Sequence, residues 1–458
     1  MATFRVSAAL RHPVALLGMA ITTVMALLFL ALLVLDALGY FRNPYFGLLL
    51  FVTLPAAFLV GLLLIPLGIH LDARRRRRSP GAASADWPVL DLTIPRQRKI
   101  IAGVLLLTVV NLVLLTTASS GAVHYMETTE FCGRVCHTTM EPQYAAHQSG
   151  PHARVACVDC HVGPGVGALV QSKMAGTRQL WQIATNRVPR PVPSPIETMR
   201  PARFTCENCH WPEKLHGDEV RVFREYADDE ASTETATTMM MFVGGGSAAL
   251  GIGSGIHWHM NLANEIEYIA TDPARETIPY VRLRTPDGTV REYTAPNVSA
   301  AQFATVPRRR MDCLDCHNRP AHTFFATPER AVDAAIAAGR IPRDLPFVRR
   351  EAVAALRAEY PDKHAALVAI ANRLREFYKA RPSSDTELMN RIVAGTQDVW
   401  ARNVFPAMNV KWGTYPNHIS HIDTPGCFRC HDDEHTTQDG RVIKQDCEMC
   451  HKEQQQPQ

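Results

Sequence analysis

Every cysteine of this 458-residue chain stands in one of six pairs, and each pair is followed at once by a histidine. Five pairs share one spacing: Cys157-Val-Asp-Cys160-His161, Cys206-Glu-Asn-Cys209-His210, Cys313-Leu-Asp-Cys316-His317, Cys427-Phe-Arg-Cys430-His431 and Cys447-Glu-Met-Cys450-His451. The first pair along the chain, Cys132-Gly-Arg-Val-Cys136-His137, carries one extra residue between its thiols. Two thiols at this spacing reach the two vinyl groups on one porphyrin edge, and the next residue sets an imidazole under the iron. Disulfides are the usual fate of an even cysteine count in an exported chain. Neither a disulfide nor a zinc site, however, asks for a histidine directly after every second cysteine. The pattern predicts six covalently bound c-type haems, with His161, His210, His317, His431 and His451 as proximal ligands and His137 in that role at the irregular site. A disulfide between Cys132 and Cys136 is the competing reading there.

Three apolar runs precede the motifs: Val14 to Tyr40, Phe46 to Ile69, and Ile100 to Thr117 continuing through Ala118–Val123. A helix crosses a bilayer with about 20 apolar residues, so all three read as spans. Arg5 and Arg11 precede the first, Arg42 alone lies between the first and second, and Arg74 to Arg78 with Arg96, Arg98 and Lys99 lie between the second and third. Positive charge stays on the cytoplasmic side, which sends the chain outward after the third span. Haem is attached covalently outside the cytoplasm, in agreement. The expected location is a bacterial inner membrane, multi-pass, with the haem domain in the periplasm. Residues 1–119 hold 11 Lys/Arg against 4 Asp/Glu within a formal total of +4, so the remainder is −3, and haem propionates make it more acidic. The arginine run, set between two spans, reads as a topology and lipid-surface signal; no nucleic-acid partner is expected. His12 and His70 fall near the cytoplasmic ends of spans one and two, where interfacial placement is favoured over a b-type haem.

The expected fold class is a membrane α-helical anchor of three spans plus a mainly α, loop-rich multihaem cytochrome c domain with a small β insertion. The divisions are 1–119 for the anchor with its Arg-rich loop, 120–215 for a three-haem region, 216–310 for an insertion, and 311–458 for a helical three-haem region. Arg187 to Pro201, with five prolines, reads as a surface linker, and Asp218 to Thr238 as a polar, acidic stretch. Glu265–Ala270 and Tyr280–Tyr293 read as strands, the latter turning at Pro286-Asp287-Gly288. From Thr327, an N-cap followed by Pro328, to about Trp400 the apolar spacing is helical, with breaks near Ile341–Pro346 and Arg381–Ser384. The tail Glu453–Gln458 reads as disordered.

Each iron takes a second ligand. Histidines outside the motifs are the source, and His152, His322 and His435 stand closest to motifs in sequence. His257 or His259, in the Gly-rich stretch GIHWHM, and His418 or His421, ahead of the fifth motif, complete the candidates, with Met140 at the first site. Paired histidines go with low-potential electron transfer, and a methionine ligand raises the potential.

The stretches FCGRVCHTTMEP, SGPHARVACVDCHVGPG, SKMAGTRQLWQI and RPARFTCENCHWP resemble the NapC/NirT/NrfH family of membrane-anchored multihaem cytochromes across residues 118–215. The resemblance implies a quinol dehydrogenase that passes electrons to periplasmic reductases. It implies a first haem at the membrane face, with a methionine just after the motif as an alternative ligand; Met140 lies in that neighbourhood. It also implies a quinol site lined by a lysine and an acidic residue on the helix after the second motif. Lys173 matches the lysine, whereas Gln179 occupies the acidic position. Three spans and six motifs depart from the family's one and four. The implied partners are a membrane quinol (menaquinol or ubiquinol), the lipid bilayer and a periplasmic redox protein with a basic patch. A terminal reductase with an open-coordinate haem is the rival.

Overall fold

The computed structural model describes residues 12–38, 46, 49–77, 93–196, 199–211, 215, 217–245, 254–261, 263–379 and 385–454. The chain divides into two compact units, Met1–Val135 and Cys136–Gln458.

The first unit is helical. Helices α1 (Pro13–Ala37), α2 (Leu54–Arg77, preceded by a π-turn at Leu49–Thr53) and α3 (Pro95–Met126) follow the three apolar runs. All three are long and apolar enough to cross a membrane. Helices α1 and α2 pack backbone to backbone. A Cβ on Gly18 would lie 2.8 Å from the Gly61 carbonyl oxygen, and one on Gly68 would strike Ala15. Small residues permit this close approach where lipid tails offer no hydrophobic drive. Phe29, Leu50, Leu54 and Ala118 form the unit's buried apolar cluster.

The second unit holds the five regular motifs. Helix α4 (His137–Ser149) opens it, then α5 (Cys157–His161), which is the second motif itself, and α6 (Val166–Ala184). The Arg187–Pro201 stretch is irregular as expected, yet it is not free of the core. Val188 and Val192 pack against the cluster of Phe324, Met408 and Tyr415, and the Tyr415 hydroxyl donates to the Val192 carbonyl at 3.1 Å. The segment read as a polar stretch folds instead into a hairpin, β1 (Glu219–Tyr226) with β2 (Glu234–Met241), antiparallel throughout. Its residues are polar because β1 is exposed along almost its whole length. A strand hydrated on both faces has no alternating apolar signal. The C-terminal β7 (His451–Glu453) pairs with β2, so Glu453 belongs to a sheet rather than to a disordered tail; residues 455–458 lie outside the described residues.

The second sheet has the order β5-β4-β3-β6, from β3 (Glu265–Ile269), β4 (Tyr280–Arg284), β5 (Val290–Thr294) and β6 (Arg309–Arg310). The strands and turn expected from Pro286-Asp287-Gly288 are present, with Gly288 at φ +83. Helix α7 is the short fourth motif (Cys313–Cys316). Helices α8 (Pro328–Ala337), α9 (Val348–Arg357), α10 (Lys363–Lys379) and α11 (Thr386–Asn403) follow. Thr327 caps α8, accepting from the Arg330 N–H at 3.3 Å. These four helices bury the largest apolar cluster, including Trp400, Leu374, Ile392 and Val332. They are pinned to the β1–β2 turn: Arg349 bonds Asp333 at 3.0 Å and Asp228 at 2.9 Å, and its N–H donates to the Ser232 hydroxyl at 3.2 Å.

Candidate haem-binding sites

The five regular motifs are each built on one turn of helix, which brings the histidine that follows back over the two thiols. The His210, His317 and His431 N–H groups donate to Cys206, Cys313 and Cys427 carbonyls at 2.8, 2.8 and 3.0 Å. Each motif histidine then stands opposite one histidine from elsewhere in the chain. Ring centres are 6.2 Å apart for His161 and His322, 6.2 Å for His210 and His152, and 6.2 Å for His317 and His257. They are 5.8 Å apart for His431 and His259, and 6.0 Å for His451 and His421. Two imidazole nitrogens each roughly 2 Å from a shared metal put ring centres roughly 6 Å apart. The donor sets therefore fit a haem iron between each pair.

The hydrogen bonds of the outer rings fix their tautomers. A carbonyl oxygen accepts only, so a ring nitrogen bonded to one must carry the proton. Nδ1 donates to the Pro320 carbonyl from His152 at 2.9 Å, to Val243 from His257 at 3.0 Å, to Ile256 from His259 at 2.8 Å and to Gln143 from His322 at 3.0 Å. Nε2 is left as the lone-pair nitrogen in all four, the arrangement that orients a metal-binding imidazole. Burial also favours the neutral ring: it lowers the pKa of His161, His259 and His317, and pushes His322 down to about 4.

The same logic separates the remaining candidates. Among the described residues His435 stands opposite no motif histidine. Its Nε2 donates to the Ile278 carbonyl at 2.7 Å and its Nδ1 meets the Asp432 carboxylate at 2.9 Å, so both nitrogens are occupied, one in its own loop and one beside the second sheet. His147 is buried and its ring centre is 6.1 Å from His322, but its Nε2 faces the Val155 carbonyl at 3.0 Å. Of the pair His418 and His421, only His421 faces a motif histidine among the described residues. His418 is buried with its Nε2 lacking a partner, and burial lowers it to about 4.

The irregular first site is less regular in structure too. Cys132 lies in a π-turn, Phe131–Val135, and Cys136 precedes α4. Met140 sits on the first turn of α4, its N–H bonded to the Cys136 carbonyl at 3.0 Å. The His137 side chain lies outside the described residues. Among the described residues no disulfide joins Cys132 to Cys136 or any other pair of cysteines. Lys173 and Gln179 share α6, but six residues at 3.6 per turn set them about 120° apart. A cleft of about 690 Å³ along the C-terminal end of α3 is lined by Thr116, Ser119, Ser120, His124 and Glu127. Leu115 and Val123 complete the lining. Glu127 was not anticipated, although its three-residue spacing from His124 is visible in the sequence.

The five regular sites follow one another in space as they do in sequence. The Cys160 thiol is raised by burial and then by its neighbours Cys206 and Cys209. Cys313 is pushed up to about 11 by burial, with Cys206 adding to it. Cys430 is pushed up to about 12 by burial with Cys316 nearby, and Cys450 is raised by burial with Cys427 nearby. The fourth and fifth motifs are tied directly. Arg429, buried inside the fifth, donates to the Asp315 carbonyl of the fourth at 2.7 Å and to the Arg275 carbonyl at 2.9 Å. The Asp315 carboxylate, 2% exposed, accepts from Tyr268 at 2.6 Å, Arg275 at 3.0 Å and Arg309 at 2.8 Å.

Six thiol pairs, five of them with two imidazoles set for one iron, together with three helices fit to cross a membrane, define a membrane-anchored multihaem c-type cytochrome. Comparison with known proteins agrees: residues 94–192 match the model of the NapC/NirT cytochrome c family, N-terminal region. The chain belongs to that family. It is 39% identical over 446 residues to the cytochrome c-type protein ImcH of Geobacter sulfurreducens, covering 96% of this chain and 87% of that protein. No solved structure matches it.

Proposed function

We propose that this cytochrome takes electrons from a membrane quinol and relays them through six haems, in chain order, to a redox protein on the periplasmic side. The observation that carries the relay is the set of five facing histidine pairs, one for each regular motif. A haem held between two such imidazoles would supply electron transfer with no open site for substrate, which favours relay over terminal reduction. His152, His257, His259, His322 and His421 are the proposed distal ligands, and Met140 or His137 serves the first site. When bound, each haem supplies one one-electron centre; the chain supplies the neutral imidazoles, their orientation and the order of the sites.

Quinol oxidation yields a quinone, two electrons and two protons, so the site needs proton acceptors as well as a ferric haem to take each electron. Gln179 cannot accept a proton. His124 and Glu127, in the α3 cleft five to eight residues before Cys132, supply acceptors of the right kind beside hydroxyls suited to a quinol oxygen. Lys173 remains the family-derived candidate.

The test is reduction of the haems by a menaquinol analogue in membranes containing the full chain. Haem reduction with low-spin spectra throughout and a mass equal to six attached haems is the expected result. Glu127→Gln and His124→Gln should slow it about tenfold or more, since positioned acid–base groups contribute on the order of 10²–10⁴. A large high-spin fraction with unaided turnover of a small oxyanion would replace the relay by a reductase. No reduction by any quinol analogue would remove the quinol assignment.

A further inference from the structure

Arg429 and Asp315 hold the same place in two motifs, each standing immediately before the second cysteine. The Arg429 side chain, 9% exposed, crosses from the fifth motif to the fourth. Its Nη2 donates at 2.7 Å to the carbonyl of the peptide that leads into Cys316, and its own peptide leads into Cys430. Nη1 and Nε donate to the Arg275 and Gly426 carbonyls. All three acceptors are neutral, and among the described residues no carboxylate pairs with Arg429. The nearby carboxylates are answered by other side chains: Asp315 by Arg275 at 3.0 Å and Arg309 at 2.8 Å, and Asp312 by Arg309 at 3.3 Å. Arg275, Arg309 and Arg429 therefore stand against Asp312 and Asp315, and the cluster keeps an excess positive charge. A guanidinium stays charged in a protein, and a buried charge is little screened. Its field reaches both sites. Burial pushes the Cys316 and Cys430 thiols up to about 12, and at each of them Arg429 pulls the other way. These sulfurs mark the vinyl edge of the porphyrin that each motif would bind. The propionates of those two haems leave from the opposite edge, so they are placed away from this cation.

We propose that Arg429 is a potential-setting charge shared by the fourth and fifth sites: one buried cation, held between their attachment points, raises the reduction potential of both haems. The reduced state carries one electron more than the oxidised state, so a nearby positive charge favours it. Electrons coming from the third site then collect on this pair before moving to the sixth. That last consequence rests on the relay in chain order, whereas the shift in potential rests only on haem at the two sites.

Potentiometric titration of the full-length holoprotein, followed by electron paramagnetic resonance and with haem counted by mass, tests it. His257→Met and His259→Met mark which low-spin signals belong to the fourth and fifth sites. Arg429→Gln should shift the ratio of oxidised to reduced haem at those two about tenfold toward oxidised, a fall of about 59 mV for one electron, and leave the other signals in place. Arg429→Lys, which keeps the charge but not the three bonds, should stay close to the wild type. Asp315→Asn, which removes a negative charge from the same cluster, should raise the same two potentials. A loosened fold would not move the two variants in opposite directions. Unchanged potentials in Arg429→Gln with its haems in place would overturn the proposal, as would an equal fall in Arg429→Lys. If Arg429→Gln loses haem, Asp315→Asn decides, and a fall or no change there would overturn it. A wild-type protein lacking haem at the fourth or fifth motif would remove the haem assignment itself, and the proposal with it.

Discussion

The place of one proton separates His257 from His435. His257 and His435 are both partly or wholly enclosed and both hydrogen-bonded to backbone, yet His257 gives its Nδ1 proton to a carbonyl and His435 gives its Nε2 proton to one. Replacing His257 by methionine should therefore convert one paired-histidine site and raise that site's potential, within the ~0.8 V that axial ligands span. His435→Gln should leave every low-spin signal in place and cost only stability. Electron paramagnetic resonance of the oxidised protein, with a redox titration, separates the two. His418 makes a different prediction. Its folded pKa of about 4 lies below the ordinary histidine value, so the unfolded chain takes up a proton first as pH falls. Its contribution is whole above about pH 6.5 and is lost as pH drops toward 4. His418→Leu should flatten the acid side of the stability curve by on the order of 1–2 kcal/mol, measured as the shift in the acid unfolding midpoint.

At the level of elements, the fourth and fifth sites are held as one body by the Arg429–Asp315 knot. Arg429 makes three hydrogen bonds to backbone carbonyls, of Gly426, Arg275 and Asp315, and these span α7 and the turn of the fifth motif. Asp315→Asn would leave Arg275 and Arg309 facing a neutral amide, and breaking such a buried pair costs about 3–5 kcal/mol. Tyr268→Phe, which removes a single donor, should cost about 1–2 kcal/mol. Denaturant unfolding of the holoprotein gives both values. An Asp315→Asn loss no larger than that of Tyr268→Phe would show the carboxylate to be dispensable. The elements differ in how plainly the sequence announces them. Helices α8 to α11 carry their caps and apolar spacing on the surface of the sequence, with Thr327 and Pro328 at the start. The β1–β2 hairpin does not, because β1 is solvated on both faces and β2 acquires its second neighbour, β7, from more than 200 residues away.

Across the whole molecule, the facing histidine pairs bring distant parts of the chain together. His322, after the fourth motif, faces His161 of the second; His257 and His259, two residues apart, face His317 and His431 of neighbouring sites. The segment Ile256–Met260 thereby joins two sites through a single turn. If electrons run in chain order, His421→Ala, at the last site, should slow transfer to the external acceptor severalfold while leaving quinol-driven reduction of the earlier sites unchanged. Stopped-flow absorbance of membranes resolves the two phases. Equal slowing of both phases would show that the last site is not the exit.

The six thiol pairs with their following histidines were readable in the sequence because haem attachment is local chemistry: five residues suffice to state it. The three membrane helices were readable for a similar reason, since a bilayer imposes a length of apolar residues on any segment that crosses it. Among the histidines outside the motifs, sequence distance was a poor guide. His435, four residues from His431, bonds Asp432 and the distant Ile278 carbonyl, whereas His322, more than 160 residues from His161, came to face it. Which partner a motif histidine meets depends on where the folded backbone carries each ring, and which nitrogen it presents depends on the carbonyl standing behind it. Both were decided by the tertiary structure alone.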